Sequence, residues 1–584
     1  MSNIDLVPEE ILVGRGDPVY MAHAYLTKVP VPAIVPFISA YSKPGDVVVD
    51  PFAGSGMTGV AAAICGRRAL LSDISVLGRH IGSNYVNLVD ATTVRKAASD
   101  ALGRAQARLG TVYSVTCASC GEDGELAKTV WSYLVECNEC HEPVNFYDSL
   151  KHAEWSKARM TCPHCSASLT GRAARVGEAP VVDYVKSACS KTQVEQPSSP
   201  DSTDVDLSGA HYPRVEITPD REMYKAQSLG KSGLTTVASF YSKRNLLALS
   251  TLREEIEREP NTAIRSKLLF AFTATLTRAS KRYQWSHKRP LNAANANYYV
   301  AAVFYEWNIF DLFDRKVDAV IKSDQWVRAE TARLTGTSDA VPDVVYSTQS
   351  AASLNYADES VDYVFTDPPF GSNLFYADMA LFQEGWLGEF TDVHQEAVID
   401  RSRDSKRSAG RYEDLLTDAL RECRRIVKPG GKISMVFGNS SGKVWALVQR
   451  AVANAGLRID PGAIAILNKG QRSVKGLASG FEHVATLDLI LTMTATNDPA
   501  PGLHAPSRSE IQDVTRRLAE ADHPSPSHLY LELLRHALFE DWSVADLDLR
   551  DATAALIEAG WTIDAKSGRL VNVNEDEVSE PAFV

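Results

Sequence analysis

The 584-residue chain contains no apolar run of the ~18–20 residues that a membrane-spanning helix requires. Cysteine is scarce, with 9 residues, and no signal peptide opens the chain, so we expect a reducing, cytoplasmic setting without disulfides or membrane contact. Positive charge is also in deficit: 61 Lys and Arg stand against 73 Asp and Glu, for a net charge of -12. Contact with a polyanion would therefore need local basic surface.

The most informative stretch is Thr366-Asp367-Pro368-Pro369-Phe370, which follows an apolar run that predicts a buried strand, Val361–Phe365. Two consecutive prolines fix φ and remove two backbone donors, so the carbonyls and the Asp367 carboxylate face a ligand as pure acceptors. An exocyclic amino group offers two donors to such a pair, and Phe370 offers a flat face for stacking. A chance turn is the competing interpretation.

A glycine-rich loop lies far upstream. A predicted turn and buried strand, Gly45–Asp50, precedes the loop, and Val60–Cys65 predicts the start of a helix. Gly54, Gly56 and Gly59 fit the G-x-G-x-x-G pattern of a nucleotide-binding loop. Alone this pattern is weak, and a nicotinamide-dependent dehydrogenase is the competing interpretation.

Two details argue against a dehydrogenase: an acidic residue precedes the loop, and the loop itself begins Asp-Pro-Phe. Asp50 closes the strand before the loop, where it can receive a ligand ammonium group. A second predicted strand, Ala69–Ser72, ends at Asp73, which is placed to accept hydrogen bonds from ribose hydroxyls. S-adenosylmethionine carries an ammonium group and a ribose but no pyrophosphate, so the pattern favours this cofactor.

Together these motifs resemble the amino-group DNA methyltransferases, with Asp50–Gly56 as the cofactor loop and Asp367–Phe370 as the catalytic motif. His23–Pro30 is similar to the segment that lies beside the methionine end of the cofactor, and Leu420–Lys432 to a later helix–turn–strand. The resemblance implies that Asp367, Pro368, Pro369 and Phe370 are catalytic. The residues that it implies for cofactor binding are Tyr25, Lys28, Asp50, Pro51, Phe52, Gly54, Gly56, Thr58, Asp73 and Ile74.

A closer resemblance, over most of residues 15–495, is to the adenine-specific DNA methylases that contain a zinc ribbon. It is carried by Gly371–Leu387 and Phe240–Leu249. One departure concerns the turn before the catalytic strand, where such enzymes often place an acidic residue for the cofactor adenine. Here the turn is Ser347–Ser350, so we expect a neutral hydrogen bond from Ser350 or Gln349.

Six cysteines form three C-x-x-C pairs, and two such turns present four thiolates to one tetrahedral Zn²⁺. Disulfides are the competing interpretation. Cys137/Cys140 can share an ion with Cys162/Cys165 or with Cys117/Cys120, and a second ion can use His141, His164 or Cys189; the sequence leaves these pairings open. We expect a structural role for the metal. The predicted ligands are Cys117, Cys120, Cys137, Cys140, Cys162 and Cys165.

Three basic segments are candidates for DNA contact: Arg278–Arg289, Arg401–Arg411 and Lys469–Lys475. The first interleaves cations with aromatic residues, as phosphate contact and base stacking together require. A solvated loop is the competing interpretation of each. The residues predicted to contact DNA are Lys281, Arg282, Trp285, Lys288, Arg289, Arg401, Arg407 and Arg472.

The resemblance implies an α/β fold: a Rossmann-like methyltransferase sheet with a zinc-ribbon insertion, a helical insertion and a small C-terminal helical region. The inserted residues follow strand ends where ligands bind in such sheets, so we expect target recognition there. The predicted divisions are residues 1–110 (cofactor half), 111–190 (zinc ribbon), 191–215 (linker), 216–335 (mostly helical insertion), 336–495 (catalytic half) and 496–584 (linker and accessory region).

The predicted activity is direct transfer of a methyl group from S-adenosylmethionine to adenine N6 of a base flipped out of duplex DNA. No Pro-Cys motif of the cytosine-C5 type is present. Cytosine N4, an RNA amino group and a non-catalytic DNA-binding protein of a defence complex remain alternatives. Restriction or phage-defence partner proteins are further expectations.

Overall fold

The computed structural model describes residues 7–14, 16–169, 173–199, 205–287, 298–337, 343–371, 374–399, 408–470, 487–499, 502–522, 524–558, 560–564 and 569–572. Within these residues, every helix is too short or too polar to cross a membrane.

The central element is an eight-stranded sheet with the order β1-β13-β14-β12-β11-β2-β3-β10. All neighbouring strands are parallel except at β14, which runs antiparallel to both β12 and β13. Its strands are β1 (Glu10–Leu12), β2 (Val47–Asp50), β3 (Arg68–Asp73), β10 (Val344–Thr348), β11 (Val361–Thr366), β12 (Val427–Phe437), β13 (Leu457–Asn468) and β14 (Asp488–Ala495).

Helices cover both faces of this sheet. On β11 the side chains of Tyr363 and Phe365 enter one core, whereas Val364 enters the other, as the two-residue period of a strand dictates. The helices are α1 (Pro18–Ala22), α2 (Val31–Tyr41), α3 (Met57–Ile64), α4 (Val76–Val86), α5 (Ala91–Leu109), α6 (Phe146–His152), α7 (Glu222–Gln227), α8 (Leu229–Ser232), α9 (Lys243–Glu257), α10 (Thr262–Ala279), α11 (Ile309–Thr335), α12 (Tyr376–Leu387), α13 (Ala409–Ile426), α14 (Gly442–Asn454), α15 (Arg508–Asp522), α16 (Pro526–Phe539) and α17 (Leu549–Glu558).

The predicted strands before Asp50, Asp73 and Asp367 are confirmed as β2, β3 and β11. Chain order reverses between β2 and β11: β2 leads outward to β3, and β11 leads outward to β12. In open α/β sheets ligands bind at the carboxyl ends of the strands beside such a reversal. Asp50 and Asp367 therefore stand at the expected position for a bound ligand.

A second, six-stranded sheet contains the cysteine pairs. Its strands are β4 (Ser114–Thr116), β5 (Asp123–Glu136), β6 (Pro143–Asn145), β7 (Arg175–Lys186), β8 (Val194–Pro197) and β9 (Val303–Trp307).

Two predicted boundaries need correction here. The segment 191–215 was predicted as a linker but contains β8, whose backbone is held by pairing with β7. The insertion 216–335 was predicted as mostly helical, yet it supplies β9, which pairs with β5. The second sheet therefore draws on sequence from both predicted insertions.

The C-terminal region is docked on the catalytic half of the main sheet. Its helices α15–α17 are accompanied by the two-stranded pair β15 (Trp561–Ile563) and β16 (Leu570–Asn572). Tyr530 and Leu534 of α16 belong to the same buried core as Val364 of β11 and Trp445 of α14. The region predicted as helical and accessory thus completes one face of the main sheet.

Candidate active site and metal centre

A solvent-open cleft with about 1020 Å³ of empty space lies at the carboxyl ends of β2, β3 and β11. Asp50, Asp73 and Asp367 all line it, although Asp367 is separated from the first two by about three hundred residues of sequence.

Asp50 is buried and holds the start of the glycine loop. One of its oxygens, Oδ1, accepts hydrogen bonds from the Phe52 amide at 3.0 Å and the Thr366 hydroxyl at 2.9 Å, and Oδ2 accepts from the Thr58 hydroxyl at 2.6 Å. The Thr366 bond joins β2 directly to β11. Asp50 thereby fixes the loop, the first turn of α3 and β11 relative to one another.

Asp73 ties the same loop to β3. Its Oδ2 accepts from the Gly54 amide at 2.8 Å and its Oδ1 from the Ser75 amide at 2.8 Å. Gly56 begins α3 with φ +80°, and a Cβ there would lie 2.6 Å from the Gly82 Cα. A side chain at position 56 is therefore excluded both by backbone conformation and by close packing.

Asp367 is partly buried at the end of β11, and the residues after it are held by hydrogen bonds to their carbonyls. The Tyr412 hydroxyl donates to the Pro369 carbonyl at 2.6 Å, and Asn439 Nδ2 donates to the Phe370 carbonyl at 2.8 Å. Among the described residues no group donates to the Pro368 carbonyl. That carbonyl and the Asp367 carboxylate are therefore the acceptors that the motif leaves for a ligand.

Burial raises the pKa of Asp50 and of Asp367 to about 7. For Asp50, hydrogen bonds from Thr58 and Thr366 oppose the desolvation, whereas the charge of Asp73 adds to it. For Asp367, Lys469 lowers the pKa and Asp488 and Asp50 raise it. Burial also raises the pKa of Asp73. Three carboxylates in one desolvated cleft favour a cationic ligand.

Most residues predicted to bind the cofactor line this cleft. Gly56 is absent from its wall and acts through loop conformation instead. Of the predicted catalytic residues, Asp367 and Pro369 line the cleft, whereas Pro368 and Phe370 stand beside it. The predicted cofactor residues in the wall are Tyr25, Lys28, Asp50, Pro51, Phe52, Gly54, Thr58, Asp73 and Ile74.

Sequence reasoning missed several wall residues. Tyr376, whose hydroxyl is 2.9 Å from Thr27 Oγ1, lies within the stretch that carried the closer resemblance. Glu396 is buried and accepts from the Ala377 amide at 3.1 Å, but no local pattern marks it. Of the two residues expected near the cofactor adenine, Ser350 lines the cleft, whereas Gln349 accepts from the Asn355 amide.

The prediction of DNA contact is wrong for Lys281 as the structure stands. Its side chain is only 9% exposed and its Nζ lies 2.5 Å from Glu178 Oε1. Arg282 is 2% exposed and its guanidinium stacks 4.1 Å from the centre of the Phe382 ring. Both cations are packed inside the protein because neighbouring helices and strands enclose this segment, which local sequence does not reveal.

Trp285 lies in an aromatic cluster beside the cysteine region, with its ring 5.2 Å from those of Tyr147 and Trp155. It is partly exposed. The remaining predicted DNA contacts lie outside the described residues: Lys288, Arg289, Arg401, Arg407 and Arg472.

Four cysteines form a compact group: Cys137, Cys140, Cys162 and Cys165. Sγ–Sγ separations are 3.6 Å for Cys137–Cys165 and 3.7 Å for Cys140–Cys162. A tetrahedron with Zn–S bonds of about 2.3 Å has edges of about 3.8 Å, so the group fits a zinc ion and is far wider than a disulfide.

A second group contains Cys117, Cys120 and Cys189, with Cys117 and Cys189 sulfurs 3.7 Å apart. Ser187 Oγ lies 3.4 Å from Cys120 Sγ and 3.3 Å from Cys189 Sγ. The structure thus pairs the second and third C-x-x-C turns, and Cys189, named as an alternative ligand from sequence, joins the first. His141 instead faces Glu136, with Nδ1 2.9 Å from its carboxylate.

The sheet order and the acidic cleft define an open α/β protein with a cofactor-type pocket at its strand reversal. Residues 13–89 match the family model N6_N4_Mtase, described as DNA methylase. The match covers Asp50, the glycine loop and Asp73, and it supports a relationship to the DNA methylases. It does not extend to Asp367. No curated protein matches the chain.

Solved structures with local likeness include a protein of Thermus thermophilus, described as a putative DNA modification methylase and complexed with S-adenosyl-L-methionine. It has 16% identity, a TM-score of 0.17, and coverage of 31% of this chain and 70% of that chain. A SAM-dependent methyltransferase from Methanosarcina mazei has 9% identity, a TM-score of 0.15, and coverage of 30% and 79%. At these TM-scores we base no argument on them.

Proposed function

We propose that the protein is an S-adenosylmethionine-dependent DNA methyltransferase that acts on an exocyclic amino group, with adenine N6 as the first choice. The observation that carries the proposal is the meeting of Asp50, Asp73 and Asp367 in one cleft at the reversal of strand order. Adenine N6 rather than cytosine N4 rests on the resemblance to adenine-specific methylases, because both amino groups suit the same acceptors.

The cleft residues fit the cofactor chemically. S-adenosylmethionine supplies an electrophilic methyl group on a sulfonium and carries a net positive charge, which the three carboxylates complement. Each Asp73 oxygen accepts one backbone amide and retains a lone pair for a ribose hydroxyl. Asp50 accepts three hydrogen bonds, and a carboxylate has about four acceptor positions, so one remains for an ammonium group.

Asp367 and the Pro368 carbonyl act on the acceptor base. They accept the two amino protons, which directs the nitrogen lone pair towards the methyl group and stabilises the positive charge that develops on nitrogen. Asp367 must be ionised for this role. Holding both reactants in line would supply further acceleration, and we propose Phe370 as the residue that stacks against a flipped base.

We further propose that Cys137, Cys140, Cys162 and Cys165 hold a structural Zn²⁺. Four thiolates leave no open coordination position for catalysis. The ion would join the β5–β6 turn to the segment before β7 and so stabilise the second sheet. Cys117, Cys120 and Cys189 supply three thiolates for a second ion.

The test is transfer of tritium from labelled S-adenosylmethionine to unmethylated genomic DNA, followed by nucleoside analysis. Labelled N6-methyladenine supports the proposal in full, and N4-methylcytosine retains the mechanism while correcting the base. Asp367→Asn should abolish transfer and leave cofactor affinity within a few-fold of wild type. Asp358→Asn, an exposed carboxylate paired with Arg425, is the matched control and should retain activity.

Cofactor binding without label in DNA would reject DNA methylation by this chain alone. The same assay with RNA, and with DNA binding as a readout, separates an RNA amino methyltransferase from a non-catalytic binding protein. Full activity of Asp367→Asn would reject the catalytic assignment.

A further inference from the structure

A second cavity, with about 720 Å³ of empty space, lies beside the cofactor cleft. Tyr25 and Tyr376 line both spaces, and their ring centres are 6.3 Å apart. The rest of the wall is mainly apolar, with Leu26, Leu77 and Met379 among its members. A flat hydrophobic or aromatic group is the kind of ligand that such walls accommodate.

Two polar side chains in this wall have atoms without partners among the described residues. Arg282 is 2% exposed, and its Nη1 is sealed from water without a hydrogen bond in that part of the chain. Its Nε donates to Ser280 Oγ at 3.4 Å, and no carboxylate of the described residues forms an ion pair with it. Gln383 is 6% exposed, and its Oε1 has no donor there, whereas its Nε2 donates to Thr277 at 3.3 Å.

Such unpaired groups are energetically unfavourable. The Arg282 guanidinium stacks on Phe382, but its Nη1 has lost hydration without gaining an acceptor, and Gln383 Oε1 has lost hydration without gaining a donor. Buried arginines are normally paired, and the nearby Lys281 follows that rule through Glu178. The contrast between the two neighbouring cations suggests that Arg282 is retained for a ligand rather than for the fold.

We propose that this cavity binds an unstacked thymine or guanine of the DNA, other than the base that is methylated, with Arg282 donating to a carbonyl oxygen and Gln383 accepting from the adjacent ring N–H. Thymine and guanine offer a carbonyl oxygen next to a ring N–H on their pairing edge, whereas adenine and cytosine lack a ring N–H there. Tyrosine rings and aliphatic side chains cover the faces of the base. A phosphate would leave the apolar wall unused and would find few donors besides Arg282.

The position of the cavity suggests how a base bound there would affect the proposed active site. A base held there would touch Tyr25 and Tyr376, which also line the cofactor cleft, so its occupancy would be coupled to the geometry around Asp367. The cavity would then serve to recognise a nucleotide near the methylated base. This inference rests on the proposed DNA substrate, but its test does not require methyl transfer.

The probe is thymidine, which lacks an exocyclic amino group and therefore cannot act as the methyl acceptor. Its affinity is measured by saturation-transfer NMR on the full chain with S-adenosylmethionine bound. Arg282→Met keeps the length of the side chain and removes its donors, and should weaken thymidine binding about tenfold or more. Arg278→Met, which removes an exposed cation outside the cavity, should leave the affinity unchanged.

Two readouts distinguish a ligand site from a structural residue. Arg282→Met should keep or raise the melting temperature of the free protein, because it removes an unpaired buried charge; a marked fall would indicate a structural role and overturn the proposal. On the wild-type protein, N3-methylthymidine, which lacks the ring N–H, should bind at least several-fold more weakly than thymidine. Gln383→Leu should abolish that difference.

Equal thymidine affinity in wild type and Arg282→Met would also overturn the proposal. If inorganic phosphate bound in an Arg282-dependent manner and thymidine did not bind, the cavity would be an anion site, and the proposed base site would be overturned. Label transfer to DNA without thymidine binding would refute the proposed base site and leave the proposed methyl transfer standing. Thymidine binding without label transfer would refute the proposed methyl transfer alone.

Discussion

At the scale of single residues, the charge state of Asp367 controls the proposed reaction. Its pKa is about 7, above the ordinary 3.8, because burial outweighs the attraction of Lys469. A carboxyl with a raised pKa is protonated, and so loses its acceptor role, below that value. We therefore expect the transfer rate at saturating cofactor to rise through pH ~7 and to level off above it.

Two variants should move this profile in opposite directions. Lys469 forms an ion pair with Asp488 at 2.6 Å, and the two charges act on Asp367 with opposite signs. Lys469→Met removes the cation that lowers the pKa of Asp367 and should shift the midpoint to higher pH. Asp488→Asn should shift it to lower pH. Shifts of the same sign in single-turnover rates would show that Asp367 does not set the profile.

Gly56 and Gly45 are glycine for different structural reasons. Both have positive φ, +80° and +88°, but only at Gly56 would a Cβ meet a neighbour, the Gly82 Cα at 2.6 Å. Gly45→Ala should cost about 1 kcal/mol of stability from backbone strain alone. Gly56→Ala should cost more and weaken cofactor binding at least tenfold, because α3 and α4 must separate. Thermal unfolding and cofactor titration compare them directly.

At the scale of elements, the two proposed metal sites would hold the turns of the second sheet together. We expect two equivalents of zinc per chain in protein purified without chelator. Cys162→Ser should remove the ion of the four-cysteine group and lower the melting temperature, because that group ties two turns together. Cys189→Ser should remove only the other ion. Retention of both equivalents in Cys162→Ser would refute the assignment.

The elements that sequence predicted correctly have strong local patterns. The buried β2, β3 and β11 follow apolar runs, and α9 and α10 lie in the insertion that was predicted as mostly helical. No local sequence pattern indicates which distant segments will pair as strands. The joining of β9 to β5, across about 170 residues, was therefore not predicted. Two C-x-x-C turns are recognisable by their spacing, whereas Cys189 became a clear partner only through its distance from Cys117.

The candidate site also contains residues that the sequence could predict and residues that it could not. Asp50, the glycine loop, Asp73 and Asp367 lie in dense motifs, and the structure brings them to one cleft. Glu396 carries no local pattern, and Lys469 begins a basic segment considered only for DNA contact; the proximity of both to the cleft depends on the whole fold. Lys281 gave a misleading pattern, because basic residues near aromatic ones suit a DNA surface and a packed interior equally well. Only burial and partners distinguish these two environments.

At the scale of the whole molecule, the C-terminal region contacts the loop that holds the catalytic motif. The Gly442 amide donates to Asp548 Oδ1 at 2.8 Å, and the Leu549 amide donates to the Ser440 carbonyl at 3.1 Å. Asn439 in the same loop donates to the Phe370 carbonyl. A continuous path therefore runs from the C-terminal helices to the residues after Asp367.

Gly442 is the point at which this path can be strained. A Cβ at position 442 would meet the Val544 carbonyl and would lie 2.7 Å from the Leu547 carbonyl, both of them backbone atoms that cannot move alone. Gly442→Ala should therefore displace the C-terminal segment, lower stability by about 1–3 kcal/mol and reduce the methyl-transfer rate several-fold. Cofactor affinity should be unchanged, because the proposed cofactor residues Asp50 and Asp73 lie on β2 and β3 rather than in this loop.

The matched control is Gly103→Ala, in the interior of α5, where a Cβ would meet nothing within 4 Å. Alanine favours a helix by up to about 1 kcal/mol over glycine, so this variant should be slightly stabilised and fully active. If Gly442→Ala lost stability but kept the wild-type transfer rate, the C-terminal region would support the sheet without acting on the catalytic motif. A coupled loss, with cofactor affinity retained, would make it part of the apparatus that positions the base.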